Sequence, residues 1–297
     1  MGGMLGRAKR SPVLLRVWSS RPLGPLRRAR AGRRARRDRL LLNSGEMVPD
    51  ELAGTIPARE LWIGPEDPFS HFLRWPFEYR LYLALLCGLR PDGSVLELGC
   101  GHGRTMLGLI GYLGSEGRYE GLDIDRLRVE FAQRGIGAQH PQFRFRHADV
   151  ENPLYNPRGR TAAESFSFPY ADGEFDTVYA ASLFTHLLPE AVANYLSETA
   201  RVLRPGGSAL LSFFVLDFYR GPRTTIWEGY TLEHSLGDGV AVRDPEMKEG
   251  LVGYSRERIE RAAAAAGLRI SRVIPGYWSR PSGPSVNEQD LILFERA

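Results

Sequence analysis

Three glycines spaced two residues apart follow directly on a short apolar run. The segment reads Val95-Leu-Glu-Leu-Gly-Cys-Gly-His-Gly-Arg104, and a second apolar segment ends in Gly121-Leu-Asp-Ile-Asp125. Glycines in such a turn let the backbone approach a ligand, and a carboxylate about 20 residues further on accepts hydrogen bonds from a ribose. The spacing therefore predicts a nucleotide-type cofactor site at the first strand-to-helix turn of a doubly wound α/β sheet.

The glycine turn distinguishes between two classes of cofactor. A dinucleotide site prefers G-x-G-x-x-G, in which backbone N–H groups and a helix N-terminus face a pyrophosphate. Here the spacing is E-x-G-x-G-x-G, and Arg104 stands where the third dinucleotide glycine would come. Glu97 also places a negative charge at the strand end. This charge suits a ligand with a cationic amine and sulfonium better than one with two phosphates.

Further segments follow in the order expected of such a sheet. They are Tyr119–Asp125, Phe143–Asp149, Phe175–Leu187 and Arg201–Gly207. Together with the glycine segment, they resemble the ordered motifs of class I S-adenosylmethionine-dependent methyltransferases of the small-molecule type. The resemblance covers roughly residues 78–216. It implies a Rossmann-like methyltransferase fold with a mainly parallel seven-stranded sheet and helices on both faces.

The resemblance implies S-adenosylmethionine as the cofactor, with its methionine part at the glycine turn. Gly99, Gly101 and Gly103 would surround this part, and Cys100 would serve as a small residue in a crowded turn. Glu97 would either order the turn or meet the cofactor's ammonium group through a water molecule.

The adenosine part is expected at the ends of the next two strands. Asp123 would accept hydrogen bonds from the ribose hydroxyls, with Asp125 as the alternative, and Ile124 would pack on the adenine. Asp149 would accept a hydrogen bond from the adenine amino group, with the backbone of Val150 nearby. An alternative role for Asp149 is to cap the following turn.

The turn after the fourth strand faces the acceptor side in this family. Ala180, with its small side chain, would leave room for the cofactor amine. His186 is the candidate general base for a hydroxyl acceptor, because a neutral imidazole near pH 7 can take a proton. The alternative is that His186 only caps or packs this turn. His234 and Tyr254 are weaker candidates, and the histidine spacing predicts no metal site.

Alternating strand and helix patterns predict the elements of the domain. The predicted helices are 78–88, 105–113, 126–134, 189–203 and 256–266. The predicted strands are 94–98, 118–123, 142–147, 175–179, 208–216, 269–274 and 290–295. Residues 46–77, rich in proline and aromatic residues, predict an irregular cover within a methyltransferase domain of residues 46–297. Residues 217–253 lack a clear period and predict a lid or part of the acceptor pocket.

Basic residues are concentrated at the start of the chain. Residues 1–39 hold 13 of the 39 Lys and Arg residues and one acid, which leaves a net charge of −8 on the remainder. Residues 1–45 therefore predict a disordered or loosely helical tail. Contact with an anionic membrane surface or with nucleic acid, a transit peptide, and translation starting at Met47 are alternatives that the sequence leaves open.

Composition narrows the class of protein. A hydrophobic content of 43% can fill a sizeable core, and no apolar run reaches the length of a membrane span. The two cysteines, Cys87 and Cys100, do not make a disulfide framework, so we expect a reducing, cytoplasmic compartment.

Three hypotheses about the protein's function are compatible with these motifs. The leading hypothesis is methyl transfer to oxygen or nitrogen of a small molecule such as a sugar, lipid or secondary metabolite. The basic tail suggests an RNA methyltransferase instead, but Tyr179-Ala-Ala-Ser182 lacks the Asp/Asn-Pro-Pro-aromatic tetrapeptide used on flipped-out bases, which makes a nucleic-acid partner less favoured. A non-catalytic scaffold on the same fold is the third hypothesis.

Overall fold

The computed structural model describes residues 68–221, 231–278 and 285–296, with side chains from Arg74 onward. The predictions for the tail of residues 1–45 and for residues 46–67 lie outside the described residues. So does the part of the predicted insertion between residues 222 and 230.

Ten strands and four α-helices make up the described part of the chain. The strands are β1 (Ser94–Leu98), β2 (Arg118–Asp123), β3 (Phe143–His147), β4 (Phe175–Ala180), β5 (Leu203–Phe213), β6 (His234–Gly237), β7 (Val240–Val242), β8 (Val252–Tyr254), β9 (Leu268–Ile274) and β10 (Asp290–Arg296). The helices are α1 (Pro68–Leu86), α2 (Arg126–Ala132), α3 (Pro189–Val202) and α4 (Arg256–Ala265).

Seven of the strands form one sheet in the order β3-β2-β1-β4-β5-β10-β9. The pairs β1–β2, β1–β4, β2–β3 and β4–β5 are parallel, whereas β10 runs antiparallel to both β5 and β9. The predicted doubly wound, mainly parallel seven-stranded sheet is therefore confirmed. The strand order reverses between β1 and β4, and a crevice for a ligand opens at the carboxyl ends of strands at such a point.

Helices cover both faces of this sheet. In β1, Leu96 belongs to a buried cluster that contains the apolar side of α3, while the neighbouring Val95 belongs to a second cluster with α1 and α2. Alternate side chains of a strand point to opposite faces, so a strand buried on both sides reads as a continuous apolar run. This arrangement accounts for the apolar run that precedes the glycine turn.

Helix α3 follows its predicted pattern closely. Its buried positions include Val192, Tyr195, Leu196 and Thr199, which recur at the spacing of one helix face. The helix ends at Val202, one residue before the predicted end, and Leu203 already begins β5.

Two predictions near the amino-terminal side of the sheet are wrong. Residues 68–77 belong to α1, which begins ten residues before the predicted start and contains Pro76. The helix predicted over residues 105–113 is a short 3-10 turn, Thr105–Leu109, because the chain is extended at Ile110 and Gly111 has a φ of +73°. The two elements meet closely, since a Cβ at Gly108 would collide with the carbonyl of Pro76. Packing of α1 on this turn outweighs the local sequence signals.

The predicted insertion contains regular structure that its sequence did not indicate. Strands β6, β7 and β8 form a small antiparallel sheet, and the turn from β6 to β7 uses Gly237, Asp238 and Gly239, all with positive φ. Tyr254 in β8 anchors this sheet to the domain, because its hydroxyl donates to the carbonyl of Leu187 at 2.5 Å.

Helices in the described ranges are all too short or too polar to cross a bilayer.

Candidate cofactor and acceptor site

The glycine turn lies at the carboxyl end of β1, beside the point where the strand order reverses. Gly99, Gly101 and Gly103 all have positive φ, between +55° and +83°. A Cβ at Gly103 would come 2.8 Å from the side chain of Ile136, so this position lacks both the conformation and the space for a larger residue. At Gly99 the nearest neighbour is Leu183, which follows β4.

Asp123 holds the glycine turn in place. One carboxylate oxygen accepts a hydrogen bond from the backbone N–H of Gly101 at 2.7 Å, and the other accepts one from the N–H of Asp125 at 2.7 Å. Burial raises the pKa of Asp123, although the nearby Arg128 and these two N–H groups act in the opposite direction. A carboxylate has about four acceptor sites, so the same group retains capacity for a ribose diol.

Glu97 lies beneath the turn and is 1% exposed. Its carboxylate accepts hydrogen bonds from the hydroxyls of Tyr119 in β2 at 2.5 Å, Tyr179 in β4 at 2.7 Å, and Thr105 in the turn itself. Burial raises the pKa of Glu97 to about 7, and the three hydroxyl donors limit the rise. Of its two expected roles, these contacts favour ordering of the turn.

The residues expected at the adenine lie at the ends of β2 and β3. Ile124 is half-buried against the core, and Val150 is buried. The Asp149 carboxylate accepts a hydrogen bond from the Arg160 guanidinium at 2.5 Å, and this contact lowers the pKa of Asp149. The carboxylate is thus committed to Arg160 rather than to a backbone N–H of the next turn, so the geometry does not favour the alternative cap.

The turn after β4 is fixed by a network of hydrogen bonds that sequence reasoning did not identify. Ala180 is buried at the strand end, and Ser182 has a φ of +63°, which is uncommon for a residue with a side chain. The Ser182 N–H donates to the hydroxyl of Ser212 at 2.7 Å, and Gln289 donates to the Ser182 hydroxyl at 2.8 Å. Strained backbone of this kind costs about 1–3 kcal/mol and persists where its surroundings enforce it.

His186 ends the short turn that this network directs. Its Nδ1 lies 2.9 Å from the carbonyl oxygen of Glu249, in the insertion. Because a carbonyl only accepts, Nδ1 carries the proton in the neutral ring and Nε2 carries the lone pair. Burial lowers the pKa of His186, and the positive charge of Arg243 lowers it further. The imidazole is therefore neutral at pH 7.

The other two acceptor-side candidates have different surroundings from His186. His234 lies on the exposed strand β6, and the Tyr254 hydroxyl is engaged by Leu187 in the core. In the described ranges, no three His, Cys, Asp or Glu side chains are placed to share a metal ion. Sequence reasoning did not identify Arg128, whose side chain lies against Gly101 and pairs with Asp125 at 3.2 Å.

Comparison with known proteins places this geometry in a family. Residues 95–207 match the model of a family described as "Methyltransferase domain". Residues 95–207 of this chain therefore carry a methyltransferase domain of that family. The family uses S-adenosylmethionine, and the residues present fit that group, with a glycine turn of positive φ and a ribose-type carboxylate beside it.

The chain is similar to proteins of several kinds. It is 28% identical to a sterol 24-C-methyltransferase of Gibberella zeae, over 54% of this chain and 38% of that protein. It is 27% identical to an O-methyltransferase of Pyrenophora dematioidea, over 59% of each chain. The chain thus spans less than two thirds of the length of either relative.

Solved structures give the same fold. An S-adenosylmethionine-dependent methyltransferase from Clostridium acetobutylicum superposes with a TM-score of 0.50, at 14% identity, over 78% of this chain and 96% of that one.

The Glu97 cluster predicts a pH-dependent contribution to stability. Between the ordinary pKa of 4.5 and about 7, the folded protein keeps a proton on Glu97 that the unfolded chain has lost. The free energy of unfolding therefore falls as pH rises through this window, by up to about 3 kcal/mol at ~1.4 kcal/mol per pKa unit. Glu97→Gln should remove this part of the slope in urea unfolding measured from pH 5 to 8.

The exposed Glu164→Gln serves as the matched control, and it should unfold with the wild-type slope. If Glu97→Gln also keeps the wild-type slope, the proton does not reside on Glu97.

Proposed function

We propose that this methyltransferase transfers a methyl group from S-adenosylmethionine to an oxygen or nitrogen of a small molecule. The observation that carries this proposal is the contact between the glycine turn and the turn after β4. A side chain at Gly99 would stand 3.5 Å from Leu183, three residues before His186. The glycine turn therefore lies against the segment that carries the candidate base.

The cofactor would be held by residues from three strand ends. Gly99, Gly101 and Gly103 would receive its methionine part, and Asp123 would accept from the ribose hydroxyls while keeping its bond to Gly101. Ile124, Asp149 and the backbone of Val150 would adjoin the adenine, with Ala180 beside the cofactor amine. Cys100 would fill the turn, and Glu97 would hold the turn from below.

Little chemistry is demanded of the protein in such a transfer. When bound, S-adenosylmethionine supplies an electrophilic methyl group on a good leaving group. The protein positions the acceptor in line with that group and excludes water. For a hydroxyl acceptor, Nε2 of His186 would take the proton as the oxygen gains the methyl group. An amine acceptor with a lone pair needs the positioning alone.

The names of the relatives support the proposed class of acceptor. One relative above is named as a sterol 24-C-methyltransferase, which supports a small-molecule acceptor, and the other is named as an O-methyltransferase, which supports an oxygen acceptor. Sugars, lipids and secondary metabolites remain the acceptors that we favour. Both cysteines are free thiols, which fits a reducing, cytoplasmic compartment.

Asp123→Ala should weaken cofactor binding without unfolding the domain. The loss of charge-assisted hydrogen bonds to the ribose and to Gly101 predicts roughly 10- to 100-fold weaker binding. Calorimetric titration with S-adenosylmethionine, S-adenosylhomocysteine and NAD measures this directly. The wild-type protein should bind the two sulfur compounds and not NAD.

The control is Asp92→Ala, which removes an exposed carboxylate just before the amino end of β1, at the other end of the strand from the glycine turn. This variant should bind the cofactor as the wild type does. A wild-type protein that binds neither sulfur compound would contradict the proposed function and favour a non-catalytic scaffold.

His186→Gln should slow transfer to hydroxyl acceptors about 100-fold or more while leaving the affinity for S-adenosylhomocysteine unchanged. Because the pKa of His186 is lowered from 6.5, the acid limb of the wild-type rate profile should lie below pH 6.5. Transfer of labelled methyl groups to a metabolite extract provides the measurement, and the exposed His234→Gln is the control. Equal rates for His186→Gln and the wild type would exclude His186 as the base.

A further inference from the structure

We propose that the acceptor carries an anionic oxygen group, a carboxylate or a phosphate, which Arg243 binds beside Tyr155 and His186. This inference rests on the proposed function and names the chemical class of its substrate. It follows from side chains that the insertion and the loop after β3 bring to the crevice.

Arg243 and His186 are positioned by adjacent residues of one short turn. Arg243 follows β7, and its backbone N–H donates to the carbonyl of Leu251 at 3.2 Å. Its Nη2 lies 3.3 Å from the place where a Cβ on Gly250 would stand. Glu249, the preceding residue, supplies the carbonyl that binds His186. The guanidinium and the imidazole therefore face the same space over this turn.

Tyr155 connects this space with the cofactor site. The Asn152 side chain accepts from the N–H groups of Leu154 and Tyr155 at 3.0 Å each and so fixes the loop. The Tyr155 ring meets the His186 ring edge-on, with centroids 5.8 Å apart. Burial raises the pKa of Tyr155, so the phenol beside His186 stays uncharged.

The charge of Arg243 is not balanced by a carboxylate in the described ranges. Arg258 and Arg261, at the other side of the small sheet, both pair with Asp238. Arg243 instead adds positive charge next to the candidate base. A guanidinium binds carboxylates and phosphates through two parallel hydrogen bonds, and such a bond here would place the rest of the acceptor against His186.

An anion bound at this place should be visible in the titration of His186, without any transfer reaction. Among the described residues, the groups near the ring include Tyr155, Arg243 and the carbonyl of Glu249. The probes are inorganic phosphate and acetate, added separately to the protein saturated with S-adenosylhomocysteine. NMR of the His186 ring protons should show its pKa rising by about half a unit or more as the added anion saturates, since a nearby negative charge favours the protonated ring.

Three variants distinguish a built site from general ionic strength. Arg243→Gln should weaken the response to the probe at least 10-fold, Arg243→Lys should retain part of it, and Tyr155→Phe should weaken it less than Arg243→Gln does. Arg272→Gln removes an exposed arginine from the edge strand β9 and should respond as the wild type does. Comparing the phosphate and acetate series shows which anion the site prefers.

Two results would overturn the inference, namely no anion-dependent shift in the wild-type protein or an equal shift in Arg243→Gln. The affinity for S-adenosylhomocysteine is measured on the same samples. Intact cofactor binding without an anion response rejects the acceptor class alone, whereas loss of cofactor binding in the wild type rejects the proposed function.

Discussion

The hydrogen bond from the backbone of Gly101 to Asp123 is the contact on which the candidate site depends. It ties the turn after β1 to the end of β2. The second oxygen of the same carboxylate fixes the start of α2 through Asp125. One side chain thus connects two adjacent strand ends, and a ribose would meet a carboxylate that is already oriented.

A second acid, Glu97, supports the glycine turn from the core below it. Glu97 gathers hydroxyls from β2, from β4 and from the turn, and a buried carboxylate is tolerable only because all three donate to it. The glycine turn is therefore held from above by Asp123 and from below by Glu97. Two carboxylates thus support the glycine turn, whereas the proposed acceptor side is formed in part by the insertion.

The sequence predicted the central sheet well because its signals are local. Apolar runs, the turn at Asp123 and the periodic face of α3 each depend on a few neighbouring residues. The errors arose where distant contacts decide, as in α1, whose first half packs closely on Gly108, and in the small sheet of β6 to β8. The strands of that sheet are only three or four residues long, too short for a period to show.

The candidate site divides in the same way. The glycines and Asp123 were recognisable from spacing alone, since their roles follow from one turn and one strand end. The partners of Glu97 and the support of Ser182 by Gln289 lie far away in the chain and were not. The sequence did not indicate the proposed role of Arg243, because that role depends on how the insertion folds around His186.

A crystal structure of the complex with S-adenosylhomocysteine tests the central claim most directly. The account predicts that residues 97–105 keep their conformation within about 1 Å. It also predicts that Asp123 binds the ribose hydroxyls and the N–H of Gly101 at the same time. A turn that rebuilds on binding, or an Asp123 side chain directed away from the ribose, would contradict the account.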